Sequence, residues 1–290
     1  MPSPRELREH IRSITSTAKI TRAMQMVAAS KMRKAQQATL MTRPIARLLY
    51  RIQRHATTRA SEFTHPLLEV RDVRKRAVIL VGTDKGLCGA LNTNLFRLAA
   101  EFDPASTVFI TAGKRASQFI ARTQRRLVAE FTFGDSPRMA EARPIATLAR
   151  DMFVKGEVDE VKVVATLFVN TMVQNAAVVE FLPVGEITAL KLPGAESDAD
   201  LAADTSEIIF EPSPEAVLSY LLENYVNILI YRVLLEAKAS EQSARMVSMK
   251  NATDRTTELT DELTLEYNKM RQGNITRELL DIAGGQLGDA

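Results

Sequence analysis

Apolar residues recur at intervals of three and four positions over both ends of the chain. The first stripe begins at Leu7 and continues, apart from one polar turn near Thr21, along most of residues 3–59, and the second begins at Leu218 and continues along residues 213–284. Such narrow stripes are typical of a coiled-coil seam. The pattern therefore predicts two helices, roughly 80 and 105 Å long at about 1.5 Å per residue, that bury their seams against each other as one antiparallel coiled coil.

The middle of the chain alternates between short apolar runs and amphipathic stretches. The runs are typical of buried strands, and the stretches between them have helical spacing. This alternation predicts a Rossmann-like α/β domain with a mainly parallel sheet, in which the fourth strand follows the third by a hairpin. The predicted strands lie at 77–82, 107–113, 161–168 and 176–182, and the predicted helices lie at 87–102, 114–125 and 137–155.

These elements divide the chain into three predicted parts. The first is an N-terminal helix over 1–59, the second is the α/β domain with an acidic linker over 60–211, and the third is a C-terminal helix over 212–290. Ser213 and Pro214 suit the start of the last helix, since serine caps helices and proline is favoured in their first turn. We call the two terminal helices the shaft helices.

Charge is unevenly distributed along the chain. The whole chain has a net charge of +3, but residues 1–59 contain 13 Lys and Arg with only Glu6 and Glu9 as acids, which gives this segment a net charge of +11. A basic segment of this kind indicates an acidic partner. Nucleic acid, a membrane surface and an acidic protein surface are the alternatives.

Within this basic segment, Lys31, Arg33 and Lys34 form a cluster. A nucleic-acid-binding coiled-coil protein is therefore the alternative function. Aromatic residues that stack on bases are nearly missing from the segment, since Tyr50 is the only one among the first 59 residues.

The sequence predicts no catalytic, cofactor or metal site. The loop Gly82–Gly89 lies between a strand and a helix, where phosphate groups often bind, but it lacks both the Gly-Lys-Ser/Thr triplet and the Gly-x-Gly-x-x-Gly pattern. We interpret the loop as a tight turn that needs glycine, and the single cysteine, Cys88, as a small buried residue. The three histidines lack metal-ligand spacing, and no apolar run approaches the roughly 20 residues that span a bilayer. A small nucleotide-dependent α/β enzyme with helical arms is a third hypothesis.

Three separated motifs resemble the gamma subunit of F-type ATP synthase. They are SITSTAKITRAMQMVAASKMRKAQ at 13–36, GTDKGLCGALNTN at 82–94, and EQSARMVSMKNATDRTTELTDELTLEYNKMRQGNITRELLDIAGG at 241–285. The order of elements between the motifs is also similar, so the resemblance covers effectively the whole chain.

This resemblance implies a rotor without a catalytic site of its own. In that family the paired terminal helices run up the axis of a ring of three alpha and three beta subunits, and the α/β domain lies beside the epsilon subunit and the membrane ring of c subunits. Ion flow turns the c ring, and the turning shaft drives the catalytic beta sites through different affinities. The resemblance therefore implies a peripheral subunit of a proton-transporting, two-sector ATPase, with no cofactor and no nucleic-acid partner, attached to the membrane only through the c ring. Because no transit peptide precedes the first motif, we expect the cytoplasmic face of a bacterial inner membrane.

The resemblance also implies which residues contact partners. By position in the motifs, Met24 lies on the shaft near the beta-subunit lever, and the cluster Lys31, Arg33 and Lys34 lies near the acidic lever region. Arg245, Arg271, Gln272 and Thr276 match positions that contact the beta subunits or couple the helices. Gly273 departs from the family, which more often has a small helix former there. Since a helix-interior glycine costs about 1 kcal/mol relative to alanine, we expect a locally softer shaft.

Overall fold

Both predicted shaft helices are present. The computed structural model describes residues 3–59, 64–184, 211 and 213–286. Helix α1 is Pro4–Arg59, and the C-terminal helix, α5, is Pro214–Gln286. Neither Pro44 nor Gly273 ends the helix that contains it. The predicted acidic linker lies almost entirely outside the described residues, as do the basic side chains of α1 beyond Thr42.

The central part of the chain forms one five-stranded sheet in the order β3-β2-β1-β4-β5. Its first four strands are parallel, and β5 pairs antiparallel with β4. This confirms the mainly parallel sheet and the closing hairpin. The strands are β1 Arg76–Val81, β2 Thr107–Ala112, β3 Leu127–Phe131, β4 Glu160–Phe168 and β5 Gln174–Leu182. The helices are α2 Leu91–Ala100, α3 Lys114–Arg122 and α4 Met139–Val154, and a short 3-10 helix spans Pro66–Leu68.

Helices cover both faces of the sheet, as a parallel sheet requires. Along β1 successive side chains point to opposite faces. Val78 and Leu80 pack with residues of α2 and α3, whereas Ile79 and Val81 pack with residues of α4 and of the first half of α5. Full burial of a large aliphatic side chain contributes about 1.5–3 kcal/mol, so α5 is part of the hydrophobic core of this domain.

Two details differ from the sequence-based expectations. Strand β3 was not predicted, because it is an edge strand with exposed positions on both faces and has no buried apolar run. Helix α2 begins at Leu91, later than predicted, because residues before it form a loop that includes Leu87 and Gly89 at φ values of 62° and 59°. The tight turn is confirmed, and Cys88 is a buried free thiol as expected.

Contacts divide the chain into two compact units. One unit consists of Met1–Ala28 with Arg245–Ala290, and the other is Ala29–Ala244. The second unit contains the sheet, its helices and the adjoining parts of α1 and α5.

The first unit is the antiparallel coiled coil. Thr21 Oγ1 lies 2.7 Å from Thr253 Oγ1, which joins α1 to α5. On α1 the buried positions extend from Thr21 back to Leu7, and on α5 half-buried positions extend from Thr253 forward to Met270, so the helices run in opposite directions. The sequence indicated that the apolar stripe is interrupted at a polar turn near Thr21, but the seam continues through this turn. Thr21 is itself a buried seam residue, because its hydroxyl has a partner on the other helix.

Candidate functional site

In the second unit, α5 contains a fully buried stretch where it packs against the sheet. Every residue over 236–244 is buried, with exposed fractions of at most 9%. A helix buried on all sides is normally apolar all round, but this segment reads EAKASEQSA. We call residues 236–244 the polar segment of α5. Its charged and hydroxyl groups require partners from the surrounding elements, since an unpaired buried polar group is costly.

The loop between β3 and α4 supplies one set of partners. One carboxylate oxygen of Asp135 lies 3.1 Å from Lys238 Nζ on α5, and the other lies 2.5 Å from Lys31 Nζ on α1. Lys238 Nζ is also 3.0 Å from Glu241 Oε2 and lies 5.6 Å from the ring centroid of Phe133. Asp135 therefore bridges both shaft helices from within the α/β domain.

The two lysines also set the electrostatics of Asp135. The hydrogen bond from Lys31 and, more weakly, that from Lys238 hold the pKa of the Asp135 carboxyl at about 2, below its ordinary value of 3.8, against a smaller opposing effect of burial. The carboxylate is thus ionised at neutral pH, which keeps both ion pairs intact.

The β4–β5 hairpin supplies partners for the hydroxyl groups of the polar segment. Ser240 Oγ donates to the carbonyl of Thr166 in β4 at 3.2 Å, and Ser243 Oγ donates to the carbonyl of Thr171 in the hairpin at 2.8 Å. Gln174 Nε2 donates in turn to Ser243 Oγ at 3.4 Å. The segment is therefore hydrogen-bonded to elements that are distant along the chain.

The polar segment also lies where Rossmann-like proteins bind their ligands. In open α/β sheets the ligand crevice lies outside the carboxyl ends of the strands, where the strand order reverses, and here that point falls between β1 and β4. Ser240 contacts the carboxyl half of β4, and Ala244 packs with Cys88 and Leu91, which follow β1. A shaft helix therefore occupies the position of the crevice.

The predicted basic cluster does not present a single surface. Arg33 and Lys34 are exposed, but Lys31 is half-buried and its ammonium group binds Asp135. Its charge is thus paired within the chain. Met24, the other predicted contact on α1, is half-buried.

The predicted contacts on α5 fall into two places. Arg245 is buried to 8% exposure directly after the polar segment. Arg271, Gln272 and Thr276 are exposed and lie within two turns of each other towards the C-terminal end, where the Thr276 hydroxyl donates to the Gln272 carbonyl at 3.0 Å. The structure thus presents these three side chains on an accessible stretch of helix.

Sequence reasoning did not identify Asp135 or Lys238. Asp135 follows the strand that was not predicted, and Lys238 looks like an ordinary solvated lysine between apolar residues. The sequence does contain one signal of the polar segment: Ser, Glu and Gln residues directly follow the apolar stretch of the same helix. Burial of those residues on all sides depends on the tertiary packing.

Metal sites and membrane spans concern the described residues, 3–59, 64–184, 211 and 213–286. Within these ranges no three His, Cys, Asp or Glu side chains are arranged to hold a metal ion. Over the same part of the chain, no helix has both the length and the apolar character needed to cross a bilayer.

Comparison with known proteins places this geometry in a family. The family model described as ATP synthase matches residues 3–287. The ATP synthase gamma chain of Opitutus terrae is 42% identical over 100% of both chains, and that of Roseiflexus castenholzii is 44% identical over 98% of both. Among solved structures, a chain of the Euglena gracilis mitochondrial ATP synthase (OSCP/F1/c-ring) covers 98% of this chain and 94% of its own at a TM-score of 0.67 and 20% identity. A chain of the Tetrahymena thermophila central stalk and c ring covers 80% and 99% at a TM-score of 0.59 and 22% identity. At these identities the structural matches establish the shared fold, while the sequence matches show that the chain belongs to the ATP synthase gamma chain family.

Proposed function

We propose that this chain is the central-stalk rotor subunit of a proton-translocating F-type ATP synthase, and that it transmits rotation of the c ring to the catalytic alpha and beta subunits. The observation that carries the proposal is the family match over residues 3–287, which includes both shaft helices and the α/β domain. The antiparallel coiled coil supports it, because two wound helices resist twisting better than one.

The catalysis of this machine belongs to other subunits in the proposal. The position of a nucleotide crevice in the α/β domain is filled by the polar segment of α5, through Ser240 and Ala244. The filled crevice position supports the proposal that the chain has no catalytic site of its own and binds no cofactor. ATP hydrolysis by the isolated chain would contradict this part of the proposal.

The proposed partners are the alpha and beta subunits, the epsilon subunit and the c ring. As a gamma chain it is a peripheral, membrane-associated subunit, and we place it at the cytoplasmic face of a bacterial inner membrane. Exposure of Arg271, Gln272 and Thr276 supports their proposed contacts with the surrounding subunits. Exposure of Arg33 and Lys34 supports the same role on α1, with Met24, Lys31 and Arg245 as the less accessible members of the proposed contact set.

Affinity purification tests the assembly directly. A tagged full-length chain is expressed in its native host and purified from detergent-solubilised membranes. We expect alpha, beta, epsilon and c subunits to co-purify and the complex to hydrolyse ATP. Purification of the chain without alpha and beta subunits would overturn the proposal, and tight, salt-sensitive DNA binding by the same preparation would favour the nucleic-acid alternative.

A further inference from the structure

The polar segment of α5 is difficult to explain by stability alone. Apolar packing is the ordinary way to hold a helix against a sheet, and it already serves this purpose in the preceding part of α5, where Leu222, Ile230 and Leu234 are buried. Burying charges is costly, and replacing a buried ion pair by apolar residues is often neutral or stabilising. The nine residues that follow this apolar stretch are nevertheless rich in buried charged and hydroxyl groups.

Directionality separates the two kinds of contact. Hydrophobic burial depends on area and has no preferred angle, so apolar contacts specify the rotational position of a helix less sharply than hydrogen bonds do. A hydrogen bond weakens steeply when its angle is distorted. Ser240 and Ser243 bond to carbonyls of the β4–β5 hairpin, while Lys238 bonds to Asp135 in a different loop. Rotation of α5 about its axis would strain all three contacts together.

Asp135 extends this arrangement to the second shaft helix. Its two carboxylate oxygens bind different helices, Lys238 on α5 and Lys31 on α1. Lys238 is 4% exposed at its side chain, whereas Asp135 is 50% exposed and Lys31 is 37% exposed. The bridge to α5 is therefore the better shielded of the two ion pairs.

We propose that the polar segment of α5 and Asp135 form the joint through which torque passes between the α/β domain and the two shaft helices. The proposal rests on the rotor function proposed above. In it, Asp135 is a positioning residue: it fixes the rotational position of both helices relative to the sheet, and its contacts are within the chain.

The test compares coupling with folding in the complete reconstituted enzyme. Asp135→Asn removes the charge that both lysines share, and Lys31→Met removes the bridge to α1 alone. We expect both variants to assemble and to hydrolyse ATP, with a loss of protons pumped per ATP hydrolysed that is larger for Asp135→Asn. Measurements are made well below the unfolding temperature of each variant.

Asp159→Asn is the matched control. The Asp159 carboxylate accepts hydrogen bonds from the backbone N–H groups of Arg74 and Lys75 at 2.9 and 2.8 Å, and it contacts neither shaft helix in these bonds. Its replacement lowers the stability of the same domain without touching the joint. We therefore expect a lower unfolding temperature but wild-type pumping per ATP.

A covalent bridge adds a rescue arm. In a Cys88→Ala background, Lys31→Cys and Asp135→Cys are joined by a short bifunctional thiol reagent. Joining is expected to restore part of the pumping that the unjoined pair has lost, because the link replaces the bridge to α1 but not the ion pair with Lys238. Wild-type pumping in both Asp135→Asn and Lys31→Met would overturn the proposal that these residues form a joint. A loss of pumping in Asp159→Asn equal to that in Asp135→Asn would overturn it as well. If the wild-type chain fails to support pumping in the same assay, the rotor function itself fails, and the two outcomes are thus distinct.

Discussion

Gly113 shows at the scale of one residue how tightly the α/β domain is built. It connects β2 to α3 with a φ of 99°, and a Cβ atom placed there would lie 2.4 Å from the carbonyl oxygen of Gly82. A non-glycine residue in such a conformation costs about 1–3 kcal/mol, and the contact with Gly82 adds to this cost. We expect Gly113→Ala to lower the free energy of unfolding by about 3 kcal/mol or more, measured by urea denaturation.

Gly156 provides the comparison for this substitution. Its φ is 73°, but a Cβ atom there would meet nothing within 4 Å. Gly156→Ala should therefore lower the free energy of unfolding only by the conformational cost of the positive φ, about 1 kcal/mol. Equal losses for the two variants would show that the close approach of Gly113 to Gly82 has no energetic effect.

The carboxyl group of Asp135 predicts a specific dependence of stability on pH. Because its folded pKa of about 2 lies below the ordinary value of 3.8, ionisation favours the folded state. That contribution is fully present above about pH 5 and is lost as the pH falls towards 2. We expect the stability difference between wild type and Asp135→Asn, measured by urea denaturation, to shrink over this range. A difference that stays constant from pH 5 to pH 2 would contradict the assignment of the low pKa to Asp135.

At the scale of the elements, the coiled coil contains a hydrogen-bonded threonine pair in its seam. The Thr21 and Thr253 hydroxyls are 2.7 Å apart, and Thr253 Oγ1 also donates to the Met249 carbonyl at 2.8 Å. Replacing one partner leaves the other hydroxyl, which is buried at Thr21 and half-buried at Thr253, with one hydrogen bond fewer. Replacing both by groups of the same shape can be nearly neutral. We expect Thr21→Val and Thr253→Val each to cost about 0.5–1.5 kcal/mol, and the double variant to cost less than their sum.

Chemical denaturation of the full chain measures this double-mutant cycle. Thr264→Val is the control, because Thr264 is exposed and its hydroxyl donates to the carbonyl of Thr260 in the same helix. Its effect should stay within about 0.5 kcal/mol. Strict additivity of the two seam substitutions would mean that the threonine pair does not stabilise the coil.

Gly273 is an exposed glycine inside α5, and a Cβ atom there would meet nothing within 4 Å. Alanine should therefore gain helix propensity without a clash, by about 1 kcal/mol. We expect Gly273→Ala to slow amide hydrogen exchange over the neighbouring turns of α5. Unchanged exchange would contradict the expectation that this part of the shaft is locally soft.

At the scale of the whole molecule, the sequence predicted elements more reliably than their joints. The shaft helices and strands β1, β2, β4 and β5 follow from periodicity and apolar runs, which are properties of short stretches of chain. Strand β3 has neither signal, since its side chains are mostly exposed at the sheet edge. The bridge at Asp135 joins Lys31 and Lys238, which are separated from it by about a hundred residues each. No local pattern encodes such a contact, and it becomes visible only when the sheet brings the loop to both helices.

Arg271 tests how the outer surface of the shaft works. In the proposed function the shaft turns past its partners in succession, so its contacts must orient it without holding it. Exposed charges meet this need because solvent screens them. Arg271 is exposed on α5, and reversing an exposed charge usually changes the free energy of unfolding by no more than about 0.5 kcal/mol. We therefore expect Arg271→Glu to leave folding and assembly nearly unchanged but to lower ATP-driven proton pumping per ATP hydrolysed in reconstituted vesicles.

The neighbouring Lys269 separates a local contact from a general effect of charge. Lys269 is also exposed on α5, two residues away and on a different side of the helix. Lys269→Glu changes the net charge by the same amount as Arg271→Glu, so an effect of overall charge would lower pumping equally in both. A larger loss for Arg271→Glu would assign the effect to the side of α5 that carries Arg271. Wild-type hydrolysis and pumping in Arg271→Glu would instead remove Arg271 from the proposed contact set, and the orientation of the shaft would then depend on the other residues in that set.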